Sequence, residues 1–375
     1  PLTEPSSGRP LGVAIAGTGF GQKIHLPALK LHHRTEPIGV YHRDLAKAEA
    51  IAQAQDLPLA WDDFARLVAQ PEVEAVALST PPFLHYEMAA QVLTAGKHLF
   101  LEKPVTLTVA EAERLQAIAE ETGSIVAVDF EFRYVPAWQH LAELLAQDWV
   151  GQKRLVKIDW MVASRADANR PWNWYAQRSL GGGALGAIGS HAFDYIHWLF
   201  GPVRRLCAHL TTSVPTRPDP ITGDRRPVDS DDICNLILDL ADGTPVQLCL
   251  SSTTYQGRGH WLEVYGDRGT LILGSSNQAD YVHGFELQAS QAGQPLAVLP
   301  IPAHLDFPQT YDDGRLAPVL RAIDAWVQGI EAGRSIGPSL TEGIASQRLM
   351  DLAREASDRQ VWLEVASPAE TSAST

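Results

Sequence analysis

Residues 13–22 read VAIAGTGFGQ, an apolar run that ends in three closely spaced glycines, Gly17, Gly19 and Gly21. Glycines at the end of a strand allow a tight turn and let the backbone approach an anion closely. A helix opening after the turn aims its unpaired N–H groups and positive dipole end at that anion. The chemistry this suits is binding of a nucleotide diphosphate, with Thr18 and Phe20 in the same turn. The spacing departs from G-x-G-x-x-G, because Gln22 holds the third place and Gly21 falls one residue early. Pro27 lies inside the expected helix and should shorten or kink it. By itself the turn leaves three readings open: a dinucleotide site, an S-adenosylmethionine site, or a plain strand-to-helix connection. A second signal sits at the end of the next strand, Val40-Tyr41-His42-Arg43-Asp44. An acid there would hold a ribose 2′-hydroxyl, but His42 takes that place and Arg43 follows it. A guanidinium suits a 2′-phosphate, so NADP is expected ahead of NAD. Asp44 reads as the cap of the following helix.

These groups need a sheet to hold them. Short apolar runs alternate with helical ones up to about residue 130. The strands read Val13–Ala16, Pro37–Tyr41, Val76–Leu78, His98–Leu101 and Ile125–Val128, and the helices Leu45–Ala54, His85–Ala95 and Val109–Glu121. Strands buried on both faces look like this, and the alternation implies a parallel, doubly wound sheet. A helical stretch near Pro136–Gln147 follows. After it come Leu155–Met161, Val203–Leu210, Ile233–Leu240, Val246–Ser251, Trp261–Tyr265 and Thr270–Leu273, with few long helices between, which predicts a largely antiparallel sheet. Residues 215–227, PTRPDPITGDRRP, read as a loop. Two helices close the chain, the first with an apolar stripe from Leu316 to Ile330 and the second starting near a Thr341 cap.

Composition excludes several classes. The 375 residues carry a formal net charge of −14, which argues against a broad nucleic-acid or anionic-membrane surface. Cys207, Cys234 and Cys249 form neither a disulfide framework nor a zinc spacing, so a reducing, cytoplasmic setting and no metal are expected. No run is long and apolar enough to suggest a membrane span. The first residues lack the pattern of a signal peptide. Flexible tails are expected at 1–10 and 367–375, with a dinucleotide-binding domain over 11–133 and a substrate and oligomerisation domain over 134–366, whose final helix packs back on the first.

Three further stretches sharpen the reading: STPPFLH at 79–85, Glu102-Lys103-Pro104, and GGGALGAIGSHAFD at 181–194. With the glycine turn, FRYVP at 132–136, VYGDRGTLIL at 264–273 and the closing SLTEGIASQRLMDLAREAS, they resemble the glucose-fructose oxidoreductase and inositol dehydrogenase (Gfo/Idh/MocA) family over nearly the whole chain. The resemblance implies an α/β protein: an N-terminal doubly wound Rossmann domain, then a C-terminal α+β domain with a large, mostly antiparallel open sheet. In the family that sheet often joins subunits, so a homo-oligomer, dimer or tetramer, is expected. It further implies an NAD- or NADP-dependent oxidoreductase acting on an alcohol or ketone of a sugar, cyclitol or other small polyol.

The family's site residues map onto this chain by motif. Lys103 matches the lysine of the E-K-P motif and would donate to a substrate oxygen, or act as base beside an oxidised nicotinamide. Glu102 would position that segment, and Glu102 and Lys103 would also contact the cofactor. Ser79, Thr80, Pro81 and His85 match the cofactor-side segment. His191 matches the family's histidine and would shuttle a proton. The family's orienting aspartate is missing, because Ala187 stands in its place. Asp194, three residues after His191, shares a face with it if the stretch is helical; Tyr175 offers a phenol as the other repair. Trp172 and Trp174 either stack on substrate or fill the core, and Gly181–Gly183 permit close backbone approach. Arg165, Arg170 and Arg178 flank the aromatic run and would favour an acidic or phosphorylated substrate if they face it. A member that binds dinucleotide without catalysis, as a sensor or scaffold, is the competing class.

Overall fold

The computed structural model describes residues 8–277 and 282–366. Positions 1–7 and 367–375, most of the expected tails, lie outside the described residues. The chain divides into two compact units, one of residues 1–134 with 307–347 and one of 135–306 with 348–375.

In the first unit, β1 (Leu11–Ala16) leads through a wide helical turn, Gly21–His25, into the short α1 (Leu26–Leu31). Pro27 falls where the wide turn passes into α1, which ends after six residues. Then follow β2 (Thr35–Tyr41), α2 (Leu45–Ala54), β3 (Leu59–Trp61), α3 (Phe64–Val68), β4 (Ala75–Leu78), α4 (His85–Thr94), β5 (His98–Leu101), α5 (Val109–Thr122) and β6 (Val126–Val128). Among the described residues these strands form one parallel sheet in the order β3-β2-β1-β4-β5-β6. This is the Rossmann order, whose direction of winding reverses between β1 and β4. The elements β3 and α3 escape sequence reading because each is shorter than the window in which periodicity shows.

Both faces of the sheet are covered. Met88, Ala89, Val92 and Leu93 of α4, with Leu115 of α5, pack on one face against Val76, Leu78 and Leu101. The other face takes an element from far along the chain, α8 (Leu316–Ala332). Its Val319, Ile323, Trp326 and Val327 pack against Val13, Ile15, Phe100 and Ala127. Trp326 is 1 % exposed and donates its indole N–H to the Ile125 carbonyl.

The second unit opens with α6 (Pro136–Ala146) and β7 (Lys153–Met161), then α7 (Ser190–Phe200) and β8 (Val203–Thr211). The strands β9 (Thr216–Pro218) and β10 (Arg225–Pro227) pair as a small hairpin inside the stretch expected to be a loop. No apolar alternation announces it. Side chains hold it instead: Arg225 donates to the Thr216 carbonyl and hydroxyl, and Asp219 accepts the N–H groups of Ile221 and Thr222. The remaining strands are β11 (Ile233–Leu240), β12 (Pro245–Ser251), β13 (Gly259–Gly266), β14 (Gly269–Ser275), β15 (Glu286–Gln291), β16 (Ala297–Leu299) and, after α9 (Leu340–Arg359), β17 (Leu363–Glu364). The described sheet runs β16-β15-β14-β13-β7-β12-β11-β8-β17 and is antiparallel apart from the β7–β12 pair. In β11, Cys234, Leu236 and Leu238 are buried, whereas Asn235 and Ile237 face outward, the pattern of a sheet with one covered face.

The expected Thr341 cap is corrected. Ser339 sits before the first turn of α9, accepts the Thr341 N–H, and meets the Glu342 carboxylate through both its own N–H and its hydroxyl. Ser339-Leu340-Thr341-Glu342 is therefore a capping sequence of the S-x-x-E type. No described helix is long and apolar enough to cross a membrane.

Candidate active site

The glycine turn lies where the winding reverses, with the ends of β1 and β4 side by side, and the Ser79 N–H donates to the Ala16 carbonyl. Gly17 has φ of +119°. A Cβ on Gly17 would lie 2.4 Å from the Ser79 hydroxyl, and one on Gly21 2.3 Å from it. These two glycines are required by the closeness of Ser79. Gly19 differs: it is exposed, and nothing lies within 4 Å of where its Cβ would be. The Ser79 Oγ is buried and has no partner among the described residues. An open glycine and a hydroxyl with bonding capacity to spare, at a topological switch point, fit a dinucleotide diphosphate. Thr18 is half-buried. Phe20 packs edge-on against His25, with ring centroids 5.3 Å apart.

At the end of β2, the His42 Nδ1 accepts the Asp44 N–H at 3.0 Å. Asp44 caps α2 by accepting the Lys47 N–H. Arg43 is exposed, and no ion pair engages its guanidinium among the described residues.

The ends of β4, β5 and β6 bring the next group together. Glu102 is anchored by its N–H to the Leu78 carbonyl, and Asp129 by its N–H to the Leu101 carbonyl. One Glu102 oxygen lies 3.1 Å from the His25 Nε2, and the other accepts the Lys103 backbone N–H at 3.2 Å. Asp129 lies 3.1 Å from the same Nε2. His25 and Asp129 were not singled out by the sequence reading. The available signals were a histidine four residues past the last glycine of the turn and an acid directly after the apolar strand IVAVD. Lys103 itself is half-buried at the carboxyl end of β5. His85 is 1 % exposed, with Nδ1 2.8 Å from the Pro104 carbonyl and Nε2 2.7 Å from the Thr80 carbonyl. Burial holds it below the usual imidazole range, and the ring lies between the Thr80 and Pro104 carbonyls rather than facing outward. The Thr80 hydroxyl donates to the Met88 sulfur, and Pro81 enters the turn before α4.

Among the described residues, His25, Glu102 and Asp129 form the group whose donor atoms lie within 4.8 Å of one another, as metal ligands would. The separations of 3.1 Å are those of hydrogen bonds, which account for the cluster without an ion. Burial opposes the charge on His25, but its hydrogen bonds to Asp129 and Glu102 outweigh it and raise the imidazole to about 9. Burial and the Glu102 charge raise Asp129 to about 8. Glu102 is held low, against burial, by its bond to His25. For His25 and Asp129 the folded chain binds the proton more tightly than the unfolded chain. Their stabilisation is full below the unfolded values and is lost as pH rises through about 8 to 9. The thermal midpoint should therefore fall between pH 6.5 and 9, and His25→Gln should flatten that fall. Calorimetry across this range checks it; an equal fall in both proteins would refute the assignment.

In the second unit, His191 and Asp194 both lie in α7 and are 5 % and 2 % exposed. The condition for a shared face is thus met. The His191 ring lies 6.0 Å from that of Trp160. Ala187 occupies the helical turn Leu185–Gly189, one turn before His191. Tyr175 sits in a short turn whose N–H is capped by Asn173, and the Arg165 guanidinium lies 4.0 Å over its ring. Burial pushes the phenol up to about 12, so at neutral pH it stays protonated and can donate a hydrogen bond. Arg178 is engaged by Asp358 through two hydrogen bonds, which removes it from the arginines available to a ligand. Trp172 donates to the Pro227 carbonyl beneath the Arg226 guanidinium, so it anchors the β9–β10 hairpin. A Cβ on Gly182 would lie 2.2 Å from the Tyr175 carbonyl oxygen, and one on Gly183 2.7 Å from an Asp231 oxygen. The close approach these glycines permit is thus to the chain itself.

A Rossmann unit with a dinucleotide-type turn, followed by a lysine-bearing strand end and a second α/β unit, defines a nicotinamide-dependent oxidoreductase class. The family model described as the oxidoreductase family, NAD-binding Rossmann fold, matches residues 11–130, and that for the family's C-terminal alpha/beta domain matches 142–365. The chain belongs to the Gfo/Idh/MocA oxidoreductase family. It is 52% identical over 356 residues to an uncharacterized oxidoreductase of Synechocystis sp., covering 95% of this chain and 96% of that one. It is 26% identical to levoglucosan dehydrogenase of Pseudarthrobacter phenanthrenivorans, covering 95% and 98% of the two chains. The crystal structure of an NAD binding oxidoreductase from Klebsiella pneumoniae matches with a TM-score of 0.84 at 25% identity, over 96% of this chain and all of that one.

Proposed function

We propose that this chain is a dehydrogenase or reductase acting on the CH–OH or ketone carbon of a sugar, cyclitol or related polyol, with Lys103 as the residue at the reacting oxygen. The observation that carries this is the placement of Lys103: at the carboxyl end of β5, its backbone held by Glu102, on the same sheet edge as the glycine turn. Levoglucosan dehydrogenase, which matches along nearly the whole chain, acts on a sugar of this type by its name. A bound nicotinamide would supply the hydride acceptor or donor, held by Gly17–Gly21, Ser79–Pro81 and the end of β2. Lys103 polarises the substrate oxygen or takes its proton. On the second unit, His191 moves a proton, with Asp194 on the same helical face in place of the carboxylate missing at Ala187. Tyr175 serves as a hydrogen-bond donor. The outward face of the second sheet, with Ile237 45% exposed beside Cys207 and Gln247, is suited to joining subunits into a dimer or tetramer.

Within this reading NADP is the preferred cofactor, because Arg43 is exposed and unengaged among the described residues and Asp44 is committed to a cap. Arg43→Ala should weaken NADPH binding by about 10-fold or more while changing NADH binding less than about threefold, the loss of one charge-assisted contact. Fluorescence titration with both nucleotides, followed by turnover on a panel containing levoglucosan, myo-inositol and simple glucosides, is the direct test. Tighter NADH binding in the unmodified chain would overturn the cofactor assignment. Tight nucleotide binding with no turnover across a broad sugar and cyclitol panel would favour the sensor class.

A further inference from the structure

We propose that His25 and Asp129 are positioning residues for Lys103, acting through Glu102. The inference rests on the reading of Lys103 as the reacting amine. Glu102 uses its two oxygens for two tasks: one meets the His25 Nε2 at 3.1 Å, and the other accepts the Lys103 N–H at 3.2 Å. Asp129 meets the same Nε2 at 3.1 Å and closes the clamp from the end of β6. The carboxylate that holds the Lys103 backbone is thus fixed by a histidine from the turn after the glycines and by an acid from the neighbouring strand.

The cost of this arrangement argues for its use. His25 is fully buried, Asp129 is 1 % exposed, and the Phe20 and Phe100 rings stand edge-on to the imidazole at 5.3 and 5.1 Å. A buried ionic cluster of this kind is seldom the most stable filling of a core, since apolar groups of equal volume do as well or better. What it supplies is a direction: it points one carboxylate oxygen at one backbone N–H. A displacement of about 1 Å at a reacting group can cost on the order of 10²-fold in rate. The other charged groups acting on the cluster are Lys103 on Glu102 and Glu131 on Asp129, while His85 feels both Glu102 and Lys103.

The test uses the full chain with Asp129→Asn and His25→Gln, each nearly isosteric, and Lys103→Ala for reference. Residue-resolved hydrogen exchange reads the Lys103 amide without any substrate. It should exchange about 10-fold faster in both variants, the loss of roughly one hydrogen bond, while amides of β1 keep their protection. With the panel polyol that is turned over fastest, kcat should fall about 10-fold or more while KM and nucleotide affinity stay within about threefold, as expected for a misplaced reacting group. Unchanged Lys103 exchange in both variants, or unchanged kcat alongside an inactive Lys103→Ala, would overturn the clamp and leave the role of Lys103 standing. A fully active Lys103→Ala would remove the reading beneath it, and the exchange data would still report whether the clamp exists.

Discussion

Lys103→Ala should lower kcat by about 10³-fold, within the range of 10²–10⁴ for loss of a general acid–base or an oxyanion donor. Nucleotide affinity should change by less than about threefold, because in the proposed reading the glycine turn and the β2 end would hold the cofactor without the lysine amine. The two readouts separate catalysis from binding. Alanine removes the amine proposed to meet the reacting oxygen and leaves the backbone N–H that Glu102 accepts. Stability should therefore remain close to that of the unmodified chain, within about 0.5 kcal/mol, as for other half-exposed positions outside the core. Steady-state kinetics on an active panel substrate, with nucleotide titration and a thermal scan on the same preparation, decides the matter. Retention of full turnover would eliminate Lys103 as the reacting group.

The second large effect concerns the glycines, and the geometry divides them. Gly17→Ala places a Cβ 2.4 Å from the Ser79 hydroxyl and 2.5 Å from its carbonyl carbon, at a φ of +119°. The backbone strain costs about 1–3 kcal/mol and the overlap about as much again, so a loss of about 2–5 kcal/mol is expected. For a unit of this size that lowers the melting midpoint by about 5–15 °C. Gly19→Ala meets no protein atom within 4 Å and should fold with unchanged stability. Its methyl group would stand where the diphosphate approaches, so nucleotide affinity should fall by about 10-fold or more, as when a close backbone approach is blocked. Thermal scans and nucleotide titration on both variants check the contrast. Equal effects of the two substitutions on stability would contradict the packing described for Ser79.

Much of the candidate site's local geometry was legible, because it is set within a few residues. The glycine turn follows a strand directly, so the residues that make the turn are the ones proposed to meet the diphosphate. Asp44 could be read as a cap because capping is settled within four residues, and the structure shows it accepting the Lys47 N–H. The helices α2, α4 and α5 lie where their apolar spacing predicts them, because one buried stripe on each is enough to specify a helix against a sheet. The β9–β10 hairpin was hidden, since its order comes from arginine and aspartate contacts that leave no periodic trace.

By itself the amino-acid sequence determined the two-part organisation, the alternating parallel half, the largely antiparallel half and the glycine turn, all of which rest on contacts within a few residues or on repeating patterns. Only the tertiary structure decided which distant groups meet. The stripe on α8 demands a partner but cannot name the β1–β6 sheet it covers, which ends at Val128, far upstream of Leu316. Likewise, His25, Glu102 and Asp129 are ordinary polar residues until strand order sets β5 beside β6 and the Gly21–His25 turn above them. Sequence periodicity records which face of an element is buried; it carries no information about what lies on the other side of that contact.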